Sequence, residues 1–198
     1  MLYQYDKAGE AASKDAAVLA PNHRYIAIFI FLVLGLICST TVKAFELYKT
    51  FQTPEVFLAD VFKANVPAPK MLMLNSESQR EISKVFKRSF PQQRVRYWED
   101  GDRTVWIFDD IGKEGYVPTT CGFIINNGVV DYSKVLIYRE SRGEQVAEPS
   151  FLNQINGSKA AGNTLDKPID NITGATVSVD MMKRMARTAI TLDSLSKK

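Results

Sequence analysis

Histidine is all but missing: His23 is the only one in 198 residues. Cysteine is scarce as well. Cys38 and Cys121 stand far apart, with no C-x-x-C pair between them. A structural zinc site draws on about four Cys or His ligands, and a haem attached at C-x-x-C-H needs a paired motif, so residue supply excludes both. Two isolated cysteines do not make a disulfide framework. His23, beside Arg24 at the edge of an apolar run, reads as an interfacial residue and not as a ligand. Long charge runs are also lacking. Lys and Arg total 25 against 22 Asp and Glu, dispersed along the chain for a net charge of +3, so nothing points to nucleic acid. No repeat of solenoid or propeller length shows. What remains is a globular composition, 45% hydrophobic and 11% aromatic, in a chain long enough for one ordinary domain plus extras.

Residues 1–23 are polar and Ala-rich without apolar periodicity, and read as a cytoplasmic tail. Tyr25 to Cys38 is then an unbroken apolar or small run, followed by Ser39, Thr40 and Thr41. Two readings compete for residues 24–46. A transmembrane helix needs about 20 residues, which the run supplies if the hydroxyls near one end bond back to the backbone. A signal peptide needs a positive flank, a shorter apolar stretch and small residues at the cleavage site, which Arg24 and Val42-Lys43-Ala44 match. The long, nearly neutral tail favours a retained anchor. Either reading places the remainder beyond a bacterial cytoplasmic membrane, on the periplasmic side. Ile37 before Cys38 argues against a lipoprotein site.

Residues 50–198 read as a compact extracytoplasmic domain. Thr53 and Pro54 open a helix with Val56, Phe57, Val61 and Phe62 as its apolar face. "MLML" reads as a short strand. "SESQREISKVFKRSF" opens with a capping box from Ser76 to Gln79 and buries Ile82, Val85 and Phe86. Alternating runs around Asp100-Gly101-Asp102 predict one hairpin, and Asn127-Gly128 predicts a second. The last 20 residues form a helix with Ser178 as N-cap. Its apolar face is Val179, Met182, Met185, Ala186, Ala189 and Ile190, with Lys183, Arg184, Arg187 and Thr191 opposite. The expected fold class is α+β, an antiparallel or mixed sheet flanked by helices, with one N-terminal transmembrane helix or signal anchor.

Candidate chemistry lies just before that last helix, in "DNITGATVSV", residues 170–179. A helix N-terminus exposes unpaired N–H groups and favours an anion. Gly174 allows close backbone approach, Ala175 obstructs little, and Thr176 offers a hydroxyl at that spot. Taken alone, the stretch reads as a capped turn using Thr173, Thr176 or Ser178, because so short a pattern recurs by chance.

The stretch resembles the flavinylation motif D-x-x-[ST]-G-A-[ST] of the FMN-binding domain family, which includes flavin-bearing subunits of the Rnf complex and of the sodium-pumping NADH:quinone reductase. "YRESRG" (138–143) and "FLNQINGSK" (151–159) resemble two further family segments in the same order, and short single-domain members are especially similar. The resemblance spans roughly residues 50–195. It implies FMN bonded by a phosphoester to Thr176, with Asp170, Thr173, Gly174 and Ala175 as the surrounding motif. It also implies a magnesium-dependent flavin transferase that uses FAD as donor. Arg142 stands where the family loop carries proline, and the extra segments of the large pump subunits are missing. Glu140, Arg142 and Gly143, with Arg139, are candidates for placing the ring; Gly143 reads as a close-approach glycine. Trp98, Trp106 and Tyr116 are candidate ring shields or core residues. Lys113 is a candidate phosphate or partner contact, and Gln154 a brace for the motif loop.

The resulting expectation is a membrane-associated electron carrier, relaying electrons between redox partner proteins through covalent FMN, and not a stand-alone catalyst. The alternative is a non-flavinylated extracytoplasmic ligand-binding or scaffold module, or a subunit of an ion-translocating oxidoreductase.

Overall fold

The computed structural model describes residues 48–112 and 117–198. The tail, the apolar run over 24–46, His23, Cys38, Lys113 and Tyr116 lie outside the described residues. Among the described residues no helix is long and apolar enough to cross a membrane. The expected architecture is corrected accordingly: its α+β part stands, and the transmembrane element is not part of the fold described.

Among the described residues, eight strands and four helices follow in chain order: β1 (Lys49–Thr50), α1 (Pro54–Val61), β2 (Lys70–Met73), α2 (Ser76–Phe86), β3 (Arg94–Asp100), β4 (Arg103–Asp110), β5 (Thr119–Asn126), β6 (Val129–Tyr138), α3 (Pro149–Ile155), β7 (Ala160–Ala161), β8 (Thr164–Leu165) and α4 (Thr176–Ser196). A single 3-10 turn at Glu144–Ala147 links β6 to α3. Six strands form one sheet in the order β1-β6-β5-β4-β3-β2, every pair antiparallel, while β7 and β8 form a separate ribbon.

Both predicted hairpins are present. β3 and β4 meet at Asp100↔Arg103. β5 and β6 turn through Asn127 and Gly128, both at positive φ (48° and 77°), as a tight two-residue turn matched to strand twist requires.

The two sheet faces are covered unequally. Strand alternation sends Thr104, Trp106, Phe108 and Asp110 to one face, where α2, α3 and α4 cover them. The apolar face read for α4 is wholly buried there, from Val179 through Ile190. Burying side chains of this size contributes about 1.5–3 kcal/mol each before entropy is charged. The opposite face carries Val105, Ile124 and Leu136, covered by α1 through Phe57 and Leu58. The Phe57 ring packs closely on Gly122: a Cβ at that glycine would stand 2.5 Å from ring carbon Cε1 and 2.8 Å from Cζ.

Several local readings shift. On α1 the buried pair is Phe57 and Leu58, with Val61 and Phe62 packed beside them, whereas Val56 is 51% exposed, because the helical turn carries it off that stripe. On α2 the N-cap is Asn75, whose Oδ1 accepts from Glu77 N and Ser78 N; Gln79 instead donates to the Gln92 carbonyl. On α4 the helix begins at Thr176 with Ala175 as N-cap, three residues before the Ser178 cap expected. Thr191, placed on the solvent side, is buried and bonded to Arg187.

Candidate functional site

The three segments singled out in the sequence converge at the entrance of α4. The first link joins the end of β6 to the first turn of α4. The Tyr138 hydroxyl donates to the Arg142 carbonyl and lies 3.1 Å from the Ser178 hydroxyl. Gly143 closes the same cluster with φ +90°. A Cβ there would stand well inside van der Waals contact distance of Ser178 Oγ and 2.9 Å from the Tyr138 hydroxyl. Gly143 is thus a close-approach glycine, as read, but what approaches is α4. Burial pushes the Tyr138 phenol up to about 12, partly offset by the hydrogen bond with Ser178.

The second link comes from α3. Gln154 Oε1 accepts the Asp170 N–H at 2.9 Å and braces the start of the motif loop. The third is internal. Ala175 N–H donates to the Ile172 carbonyl at 2.9 Å, closing a turn with Thr173 and Gly174 at its centre. Gly174 sits at φ +82°, the conformation demanded at the third position of a type II turn. A Cβ on it would meet nothing within 4 Å, so the backbone and not space requires glycine here.

The turn delivers Thr176 to the surface. Its Oγ1 accepts from Asn171 Nδ2 at 2.8 Å, and the residue is exposed. Thr173, Gly174 and Asp170 are exposed as well, while Ala175 is buried beneath the turn. No side chain caps the helix, which leaves first-turn N–H groups without a protein acceptor and the positive end of a 21-residue helix beside the threonine hydroxyl.

The other predicted residues are more dispersed. Glu140 Oε1 accepts the Gly112 N–H at 2.8 Å, and so ties the end of β6 to the end of β4. Arg139 donates to the Pro118 carbonyl (2.7 Å) and to Thr120 Oγ1 (2.9 Å), which makes it a strand-end clamp. The Arg142 side chain is exposed, and only its backbone takes part in the cluster. Trp106 is fully buried, stacked on Tyr97 at 4.7 Å, with its indole N–H on Thr104 Oγ1. Trp98 packs into the smaller core under α1. Neither indole flanks the α4 entrance.

One cluster escaped sequence reading. Asp110, its side chain fully buried, pairs with Arg184 of α4 (2.8 Å) and with Arg88 just after α2. Arg184 also donates to the Ile111 carbonyl at 3.0 Å. Desolvation lowers the pKa of both guanidiniums. The three charges come from three separate elements, and no local pattern joins them.

The domain is an α+β unit with a six-stranded antiparallel sheet, helices on both faces, and an exposed glycine-threonine turn at the start of its longest described helix. No known family, curated protein or solved structure matches the chain. The membrane-anchored flavin electron carrier is therefore set aside, together with its inner-membrane, periplasmic placement. No flavoprotein match supports it, and among the described residues no helix can cross a membrane. The ligand-binding alternative agrees better with these findings.

Proposed function

We propose that the domain is a binding module whose ligand carries a phosphate seated at the entrance of α4. The observation behind this reading is a single arrangement. The exposed Thr176 hydroxyl, oriented by Asn171, stands beside uncapped N–H groups and next to a left-handed Gly174 with open space around it. Such N–H groups donate to phosphate oxygens, and the helix dipole favours their negative charge.

FMN is the first candidate for that ligand, on the strength of the resemblance of residues 138–143, 151–159 and 170–176 to the FMN-binding domain family. The residues present fit it. Thr176 Oγ1 would carry the phosphate. Thr173, Gly174 and Ala175 would shape the turn presented to a separate flavin transferase. Asp170 would be held in place by Gln154, and Glu140, Arg142 and Gly143 would frame the neighbouring strand end. In the transfer, the Thr176 hydroxyl would take up the FMN phosphoryl group from FAD, giving its proton to solvent as the pyrophosphate bond broke and AMP left. A bound flavin supplies reversible redox chemistry; the chain's own residues hold the phosphate and the turn.

The test uses the full chain co-expressed with a flavin transferase, read by intact mass and by flavin fluorescence after denaturation. One FMN adduct in the wild type, lost in Thr176→Ala, supports the covalent reading. If no adduct forms, titration with free FMN and with inorganic phosphate decides the rest. Saturable binding weakened by Thr176→Ala keeps the phosphate site without the ester. Absence of all three signals overturns the proposal.

A further inference from the structure

One of the two edges of the sheet lies at β2, far from the α4 entrance in strand order, and carries an arrangement independent of the reading above. β2 ends the strand order among the described residues, so its outer side pairs with no strand there. The Leu74 N–H donates to the Gln93 carbonyl at 2.9 Å, which fixes the phase of the β2–β3 ladder. Hydrogen bonding to β3 therefore falls on Leu72 and Lys70, and Met71 and Met73 turn their N–H and C=O groups outward. An edge of this kind is a template for one more strand.

Side chains at the same positions give the edge a chemical bias. Met71 faces Arg96 across the ladder and Met73 faces Arg94, both as non-hydrogen-bonded pairs, in which side chains stand closest. Met71 is 50% exposed and Met73 64%, and both arginines are exposed. Neither arginine has an ion pair or hydrogen bond among the described residues, although Asp109 is exposed on the same face of β4. The β3–β4 ladder covers only Tyr97–Asp100 and Arg103–Trp106. Below it the strands part, and a concavity of about 540 Å³ opens, lined by Arg94, Arg96, Ile107 and Gln92 among others. On the opposite face of β2, Lys70 is already neutralised by Glu99.

We infer that β2 is a docking edge for an extended acidic segment of another protein. The segment adds a strand to β2 through the outward backbone groups of Met71 and Met73. Its carboxylates, at alternate positions on the face of Met71 and Met73, reach past the methionines to Arg94 and Arg96, and the side chains between them turn to the opposite face, beside Leu72. Flexible methionine side chains pack against the carboxylate stems and adjust to them. The unpaired arginines give the preference for acidic over basic strands.

A fluorescein-labelled, end-capped peptide of alternating Glu and Val is the probe, titrated against the full chain and followed by anisotropy, with the Lys–Val counterpart as control. The Glu–Val peptide binds, more weakly as salt rises, and the Lys–Val peptide does not. The double variant Arg94→Glu/Arg96→Glu weakens binding about tenfold or more. Met73→Pro, which removes an outward N–H without touching a β2–β3 hydrogen bond, has a similar effect. Unchanged helix and strand content by circular dichroism qualifies each variant, and the charge reversal alone decides if the proline variant does not fold. Absence of Glu–Val binding, or equal binding by the charge-reversed chain, overturns the inference. So does capture by phosphatidylglycerol vesicles that depends on Arg94 and Arg96 while the peptide stays unbound.

Discussion

The hydroxyls of Tyr138 and Ser178 stand 3.1 Å apart, and through them the last residue of β6 is fixed to the first turn of α4. Both residues are buried, and Gly143 fits against both. The loop after β6 and the turn before α4 are therefore held by one cluster, not by their own local structure.

Gly143→Ala tests that cluster. The alanine needs φ near +90° and a Cβ where Ser178 Oγ stands, so strain and overpacking add. The expected loss is about 2–4 kcal/mol, measured as a shift of the urea midpoint at constant slope. A midpoint equal to the wild type would show that α4 does not pack on Gly143.

Gly174→Ala is the contrasting case. Its Cβ meets nothing, so only the positive φ is penalised, at about 1 kcal/mol. Ligand or adduct formation at Thr176 should fall by more than stability does, because the turn itself is the recognition element. Equal losses in both would separate the turn from the site.

Asp110→Ala leaves Arg88 and Arg184 facing each other without their shared carboxylate. Removal of one partner from a buried pair typically costs about 3–5 kcal/mol. Because Arg88 is 40% exposed, the lower end is expected. A thermal or urea loss below about 1 kcal/mol would mean that solvent already screens the cluster.

Alkaline pH gives a fourth measurement. The folded Tyr138 phenol holds its proton up to about pH 12, against about 10 for an ordinary tyrosine. Between those values the native state binds more protons than the unfolded state, so stability falls as pH rises through that window and is unaffected below it. Tyr97 and Cys121 are shifted upward by burial and act with the same sign. The wild type therefore has a steeper alkaline slope than Tyr138→Phe, and equal slopes would place the phenol in solvent.

Gln154→Ala removes the acceptor for the Asp170 N–H. Asp170 is exposed, so water replaces the bond and the stability change stays within about 1 kcal/mol. The amide itself should exchange with solvent much faster, by hydrogen-exchange NMR. Unaltered exchange would show that the loop holds itself.

Local signals were read well where one element decides the outcome. Thr53-Pro54 starts α1, Asn127-Gly128 turns β5 into β6, and the 3.6-residue apolar period of α4 is buried as read. Local signals failed where a partner decides. Val56 belongs to the apolar period of α1 but is exposed, because the sheet meets the helix at Phe57 and Leu58. Ser178 looks like a cap from its residue type. It is instead a buried member of the first turn, since Tyr138 takes its hydroxyl and the Ile172–Ala175 turn starts the helix earlier. In the candidate site, Gln154 was legible as a brace for the motif loop, whereas Thr176 was singled out by the resemblance of its motif and not by residue type. Asp110 with its two arginines was not, because their separation in sequence hides a contact that only sheet and helix packing creates.

By itself, then, the sequence determined the α+β class, both hairpins, the buried face of the last helix and a glycine-threonine turn before it, because periodicity, turn residues and apolar patterning act over a few neighbours. Only the tertiary structure decided what surrounds that turn. Residues 138–143, 151–159 and 170–176 meet there through Tyr138, Ser178 and Gln154, whose hydrogen bonds span 16 to 40 positions. The same long-range packing left β2 at an edge of the sheet, with Arg94 and Arg96 beside two exposed methionines, because strand order is set by which strands bury one another and not by any single strand's residues.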